Sequence, residues 1–250
     1  MNATTTPPVI TYGPSEEAWA AYPAMLQALI REQGFTRMLD IGGGANPTLP
    51  AEFIRGQQLE YTLLDISQAE LDKAPPEYHK LRLDITGGTP PRGSGGYDLA
   101  FSKMLAEHVT QGEKLHQNVF ALLKEGGMAV HFFPTLYAFP FVVNRLIPER
   151  LAAWLLDKLS PRDKIQQGKF PAYYSWCRGP RRSAIRRFEQ LGYQVAAYHG
   201  YFGHVGYYRR VPPLRWFHQA LTRWLLRNPA PLFTSYAIVV LRKPPRPGAP

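Results

Sequence analysis

The chain has 250 residues, 45% of them hydrophobic and 13% aromatic, enough to bury a full core in one domain with insertions. It contains no run of about 20 uncharged apolar residues, its first residues lack the basic and apolar parts of a secretory signal, and its single cysteine, Cys177, excludes internal disulfides and a cysteine-based metal site. The net charge of +10 is unevenly spread: residues 1–140 hold 10 Lys+Arg and 15 Asp+Glu, a net −5, whereas residues 141–250 hold 19 and 4, a net +15.

A cytoplasmic protein is expected, with a second half that meets something anionic: a phosphate-bearing substrate, a membrane surface or a nucleic acid. The plainer reading of the same charge is a solvated basic face. Residues 1–10 and the proline-rich end, 243–250, read as disordered tails. From Ser15 to Gln33 the apolar positions Ala18, Trp19, Tyr22, Met25, Leu26, Leu29 and Ile30 recur at helical spacing. Ser15 is read as the N-cap and Gly34 as the stop.

Next comes Met38-Leu39-Asp40-Ile41-Gly42-Gly43-Gly44-Ala45-Asn46-Pro47. This reads as a short buried strand that breaks into a glycine loop. Without Cβ atoms the loop can turn sharply and bring backbone N–H groups up to a ligand. Pro47 is read as the first residue of the following helix. Gly42 and Gly44 fit the dinucleotide pattern G-x-G-x-x-G, but Pro47 holds its third glycine position. A carboxylate at Asp40 would also repel a pyrophosphate at close range and favour a cationic ligand, an α-amino group or a sulfonium. Both points favour S-adenosylmethionine over NAD.

After a short helix near Leu49–Arg55, a second strand ends in Leu64-Asp65-Ile66-Ser67, and an acid at that strand tip suits a ribose diol. Ser67 to Glu70 has the spacing of a capping box. A third strand, Lys80–Leu83, ends in Asp84-Ile85-Thr86. Asp84 can accept from an adenine amino group and Ile85 can lie against its ring. A glycine- and proline-rich loop leads to a fourth strand, Tyr97–Ser102, then a helix, Gln111–Leu123, and a fifth strand, Met128–Phe133.

These segments resemble the class I S-adenosylmethionine-dependent methyltransferases. The resemblance is carried by Leu39–Gly44, Leu64–Ser67, Asp84-Ile85, Tyr97–Ser102, Ala106-Glu107-His108-Val109 and Leu123–Met128, with Glu125 standing where relatives often have proline. It implies an α/β Rossmann-like fold: a seven-stranded, mostly parallel sheet with helices on both faces. It implies a cofactor site at Asp40, Gly42, Gly43, Gly44, Asn46, Asp65, Ile66, Asp84 and Ile85. It also implies that Ser102 and Lys103, at the tip of strand four, stand beside the methyl group. In relatives the N-terminal segment often covers the cofactor, which adds Tyr12.

The core of this single domain is expected over about 12–133 and 179–242. Two insertions interrupt it. Residues 134–178 contain an apolar, proline-broken stretch, a helical face with Leu151, Trp154, Leu155 and Leu159, and the aromatic run Phe170–Trp176. They read as a substrate lid. A basic helix then opens at Gly179–Arg182 and a sixth strand covers Tyr193–His199. The second insertion, about 200–231, carries a helix, Leu214–Arg227, with two tryptophans and three arginines. It reads either as a cap on the core or as a helix lying in a membrane interface. The last strand is Phe233–Leu241.

A hydroxyl nucleophile needs a base, and histidine is the usual one. The candidates are His108, His131, His199 and His204, with Glu107 a further possibility. No histidine–carboxylate spacing suggests a metal. Aromatic and arginine-rich insertions suit a sugar or ring stacked on Tyr or Trp, with an anion held by Arg. The first expectation is therefore O-methylation of a saccharide or lipid-linked glycan, either free in the cytoplasm or at the inner membrane face. A soluble metabolite is the alternative acceptor. A nucleic-acid substrate ranks lower because no nucleic-acid motif is present.

Overall fold

The computed structural model describes residues 7–90, 93, 95–136, 171–203 and 212–246. Eight strands form one sheet: β1 (Val9–Pro14), β2 (Arg37–Ile41), β3 (Glu60–Asp65), β4 (His79–Arg82), β5 (Tyr97–Lys103), β6 (Leu123–Pro134), β7 (Gln194–Phe202) and β8 (Tyr236–Arg242). Their order is β1-β7-β8-β6-β5-β2-β3-β4, with β8 antiparallel to both neighbours and every other pair parallel. The helices are α1 (Ser15–Gln33), α2 (Ala51–Gly56), α3 (Gln68–Lys73), α4 (Gly112–Leu122), α5 (Arg182–Gln190) and α6 (Pro212–Arg227).

Strand alternation splits the core into two layers. Met38 of β2 and Leu63 of β3 face a cluster with Ala18, Tyr22, Leu26 and Ile30 of α1 and Leu71 of α3. Leu39, Ile41 and Leu64 face the other side, where Leu115, Val119 and Leu122 of α4 meet Ile185 and Phe188 of α5. The sheet is thus covered on both faces, as parallel strands require.

Several boundaries differ from the sequence reading. Val9–Pro14 is an eighth strand, hydrogen-bonded to β7 from Val9↔Ala197 to Pro14↔Phe202, so the expected disordered tail is partly ordered. At the other end Lys243 is docked, its ammonium donating to the carbonyls of Phe120 and Leu123. Pro14, not Ser15, is the N-cap of α1; Ser15 is buried inside the first turn. Pro47 lies in an irregular loop, and α2 begins four residues later behind Pro50. Gly34 ends α1 in the left-handed region, and Ser67 accepts from the Glu70 N–H, both as the sequence suggests.

Candidate active site

The strand order reverses between β2 and β5: the chain runs outward through β3 and β4, then crosses back to β5. A crevice opens at the carboxyl ends of the strands at such a switch point, the usual ligand position in open α/β sheets. The glycine loop leaves β2 there. The Gly42 N–H donates to the Leu64 carbonyl, and the Asn46 N–H returns to the Gly43 carbonyl, both at 2.7 Å. Gly42 and Gly44 have φ of 77° and 41°. A Cβ on Gly42 would lie 2.3 Å from Leu105 Cδ1, and one on Gly43 would lie 2.7 Å from the Asp40 carboxyl carbon. One on Gly44 would meet Asp65 Oδ2 at 2.9 Å. Positive φ at Gly42 and Gly44 and the anchored Asp40 carboxyl behind Gly43 therefore favour glycine at all three positions.

Asp40 is the anchor of that closure. It is buried, and its carboxylate accepts from the Thr48 N–H (2.7 Å), the Thr48 hydroxyl (3.0 Å) and the Tyr61 hydroxyl (2.6 Å). Burial pushes its pKa up to about 6, against the opposing pull of the Tyr61 and Thr48 donors. In this structure its oxygens are engaged beneath the loop.

Two further acids and two apolar residues stand at the adjoining strand tips. Asp65 Oδ1 accepts from the Ser67 N–H at 2.8 Å, and the Leu83 N–H donates to the Asp65 carbonyl, which ties the tips of β3 and β4 together. Asp84 is exposed, with Oδ1 accepting from both the N–H and the hydroxyl of Thr86 at 2.8 Å. Ile66 is 64% exposed, whereas Ile85 is buried in the α4-side core with its carbonyl held by Asn118. The apolar side chain that the edge presents is thus Ile66, not Ile85.

Tyr12 does not join this group. It lies in β1, stacked on Phe202 at 5.4 Å, at the far edge of the sheet from β2. Five strand spacings, on the order of 24 Å, separate those strands, well beyond the reach of a tyrosine side chain.

Ser102 and Lys103 end β5 and point to opposite faces. Lys103 is exposed, its ammonium 5.3 Å from the Trp19 ring centroid. Ser102 is fully buried: its hydroxyl lies 2.8 Å from His131 Nδ1, and its carbonyl accepts from the Tyr22 hydroxyl. The next residue, Met104, takes φ of 53°, unusual for a residue with a Cβ.

Of the histidines, His131 has no solvent-exposed surface and its ring meets that of His116 edge-on at 4.8 Å. Burial lowers His131 to about 4 and holds His116 well below the ordinary imidazole value, so both are neutral at physiological pH. His108 sits differently. It closes a 3-10 turn, Ala106–His108, just after β5, with its side chain 38% exposed. Its Nδ1 is 2.9 Å from the Pro171 carbonyl, which can only accept, so Nδ1 carries the proton and Nε2 is the basic atom. Nε2 lies 3.6 Å from Glu107 Oε1. His199 is 2.5 Å from the Thr11 hydroxyl, between β7 and β1. His204 lies outside the described residues.

The sequence reading missed the work of Thr48 and Tyr61, and undervalued Glu107. Glu107 is 3% exposed, burial pushes its pKa up to about 7, and Oε2 has no hydrogen-bond partner among the described residues. Its carbonyl accepts from the Tyr173 and Tyr174 N–H groups, so the end of the first insertion straps over this turn. Residues 137–170, most of the expected lid, lie outside the described residues. A crevice of about 350 Å³ opens beside the strap, between Gln111, Glu113, Lys114 and Gln117 of the α4 region and Ser175 and Trp176. Among the described residues no group of three His, Cys, Asp or Glu side chains has metal-binding geometry.

No protein-family description and no curated protein matches this chain in sequence. Solved structures resemble it in fold. An S-adenosylmethionine-dependent methyltransferase from Clostridium acetobutylicum is 12% identical over 91% of this chain and 92% of its own, with a TM-score of 0.53. The phosphoethanolamine N-methyltransferase 2 of Haemonchus contortus, solved with S-adenosylmethionine, is 13% identical over 88% of this chain and 52% of its own, at 0.50. The 4+2 cyclase SpnF is 13% identical over 88% of this chain and 81% of its own, at 0.52. The chain therefore has the Rossmann-like fold of the class I S-adenosylmethionine-dependent methyltransferases. The cyclase shows that this fold also serves a reaction named otherwise, so the reaction must be argued from the site.

Proposed function

We propose that this protein is an S-adenosylmethionine-dependent methyltransferase whose acceptor is a hydroxyl of a saccharide or lipid-linked glycan. The observation that supports the cofactor is an alignment along one sheet edge. A closed glycine turn stands at the switch point, Asp65 and Asp84 stand at the next two strand tips, and the exposed Ile66 follows Asp65. On this reading Asp65 takes the ribose diol, Asp84 the adenine amino group, and Ile66 lies against the ring. The glycine turn meets the amino-acid end, its shape kept by Asp40. The cofactor supplies a methyl group on a sulfonium, open to in-line displacement. The chain must align the acceptor and exclude water.

His108 is the base this geometry favours. It is at the tip of β5, its tautomer leaves Nε2 basic, and Glu107 Oε1 beside it steadies the imidazolium formed on proton transfer. His131 is better suited to bracing Ser102 from below, since no atom of it reaches solvent. The exposed Tyr173 on the strap and the arginine-rich second half suit a sugar with an anionic neighbour. A soluble phosphate-bearing metabolite is the second reading, prompted by the phosphoethanolamine enzyme among the fold neighbours.

Calorimetric titration with S-adenosylmethionine, and with NADH as control, tests the cofactor. Micromolar binding of the first alone is expected. Asp65→Ala is expected to weaken it by about tenfold or more, a loss of the size set by charged hydrogen bonds, with a far smaller change in thermal stability. NADH binding, or an unchanged affinity in folded Asp65→Ala, would overturn the assignment.

A further inference from the structure

The second insertion contains a helix that is built inside out. Helix α6 buries His218, Thr222 and Leu225, two of them polar, against the protein. Its large apolar side chains face outward: Trp216 is 68% exposed, Phe217 60%, Trp224 56% and Leu221 37%. Phe217, Leu221 and Trp224 follow the i, i+4, i+7 spacing of one stripe, and Trp216 widens it. Two further exposed apolar residues, Leu232 and Phe233, follow on the same connection in the 3-10 turn Pro231–Phe233. A contiguous apolar face of this kind on a soluble surface marks a binding site.

The charge around it selects the partner. Arg223 and Arg227 of α6 are exposed beside Trp216 on one flank of the stripe, and Arg215 is exposed further round the helix. Beyond Glu189 the chain has no Asp or Glu at all, against eight Lys+Arg. A second copy of the chain would bring the same arginines together. A duplex would need cations at the centre of the patch, and a single strand would need a run of stacking faces, which the aliphatic Leu221 and Leu232 interrupt. Tryptophan with flanking arginine around an apolar stripe is the composition that lies in a bilayer interface. No described helix is long and apolar enough to cross a membrane.

We propose that the outward face of α6 docks this protein on an anionic lipid surface. The helix joins the end of β7 to the start of β8, where Tyr236 pairs with Pro134 at the end of β6. It therefore stands at the same carboxyl edge of the sheet as the glycine turn and the tip of β5. Docking brings that edge to the bilayer, where a lipid-linked acceptor would be presented. The docking itself does not rest on the methyl-transfer reading; only this last step does.

Co-sedimentation of the full chain with extruded vesicles tests it, using phosphatidylcholine alone and phosphatidylcholine mixed with phosphatidylglycerol. The wild type is expected to pellet with the anionic vesicles. Each arginine near such a surface is worth about fivefold, so Arg215→Gln/Arg223→Gln/Arg227→Gln should weaken binding by on the order of a hundredfold. Trp216→Ser/Trp224→Ser, at exposed positions, should lose about tenfold or more while thermal stability and S-adenosylmethionine affinity stay unchanged. A wild type that stays in the supernatant, or a double-tryptophan variant that binds as well as wild type, overturns the proposal. So does a concentration-dependent dimer in sedimentation velocity that the tryptophan variant abolishes without vesicle binding, or salt-sensitive retention of RNA or DNA without it. Cofactor affinity, read separately, reports on the methyltransferase reading alone.

Discussion

Asp40 and Glu107 are both buried carboxyls with raised pKa values, yet their surroundings give them different work. Asp40 receives three hydrogen bonds and turns them into loop geometry. Glu107 has one oxygen facing His108 and one without a partner among the described residues, an arrangement that costs stability once the group ionises. Its folded pKa of about 7 lies above its ordinary 4.5. At low pH both folded and unfolded forms are protonated and the cost is absent. As pH rises through 4.5 the unfolded chain ionises first, so folded stability falls until the folded group also ionises near 7. The full effect is about 3 kcal/mol. Glu107→Gln should match wild type in urea titrations at pH 4, then become more stable than wild type by on the order of 2–3 kcal/mol at pH 8. The titrations of Asp40, His116 and His131 cancel in that difference. A pH-independent difference would show that Glu107 is better solvated than this geometry gives it. The acids themselves were legible as strand-tip residues. The work of Asp40 was not legible: the sequence sets its carboxylate against a cationic ligand, whereas the fold turns it to Thr48 and to Tyr61 on the adjoining strand, contacts that no local pattern announces.

At the scale of elements, the readable signals were those that act within one turn of chain. The stop at Gly34 and the Ser67 cap both hold, because each is a contact between residues at most four apart. What escaped was pairing across the chain. β1 is a short extended run beside prolines, and its partner among the described residues, β7, lies about 190 residues away in register at Thr11↔His199. Propensity alone cannot value such a strand, because its stability comes from the edge it covers. The Ser67 cap has a consequence for the site. Helix α3 is only six residues long and is too short to persist without its termini being held. The same turn carries the Ser67 N–H to Asp65. Ser67→Ala should therefore cost about 1 kcal/mol in chemical denaturation. The cofactor affinity should drop more modestly than in Asp65→Ala, since the backbone donor to Asp65 survives. A loss of affinity as large as that of Asp65→Ala would mean that the cap, and not the carboxylate, organises this strand tip.

The whole molecule is electrically two-sided along its sequence, net −5 through residue 140 and +15 after it. The parallel strands that carry the glycine turn, Asp65 and Asp84 all belong to the first part, and α6 belongs to the second. The two proposed sites should then answer differently to salt. A lipid surface is met by exposed arginines over a broad area, so the attraction is long-ranged and screened. A cofactor is held by short hydrogen bonds from side chains a few ångströms away, which added ions reach poorly. Raising sodium chloride from 0.1 to 1 M shortens the screening length from about 10 Å to about 3 Å. Vesicle affinity should fall by on the order of a hundredfold across that range, and S-adenosylmethionine affinity by less than about threefold. If both fell together, a single charged surface would be serving both ligands, and the separation of cofactor edge from docking helix argued from the sheet topology would fail. If vesicle binding instead survived 1 M salt, the outward aromatics would be doing the holding, and the arginines would serve only to orient the helix on the lipid.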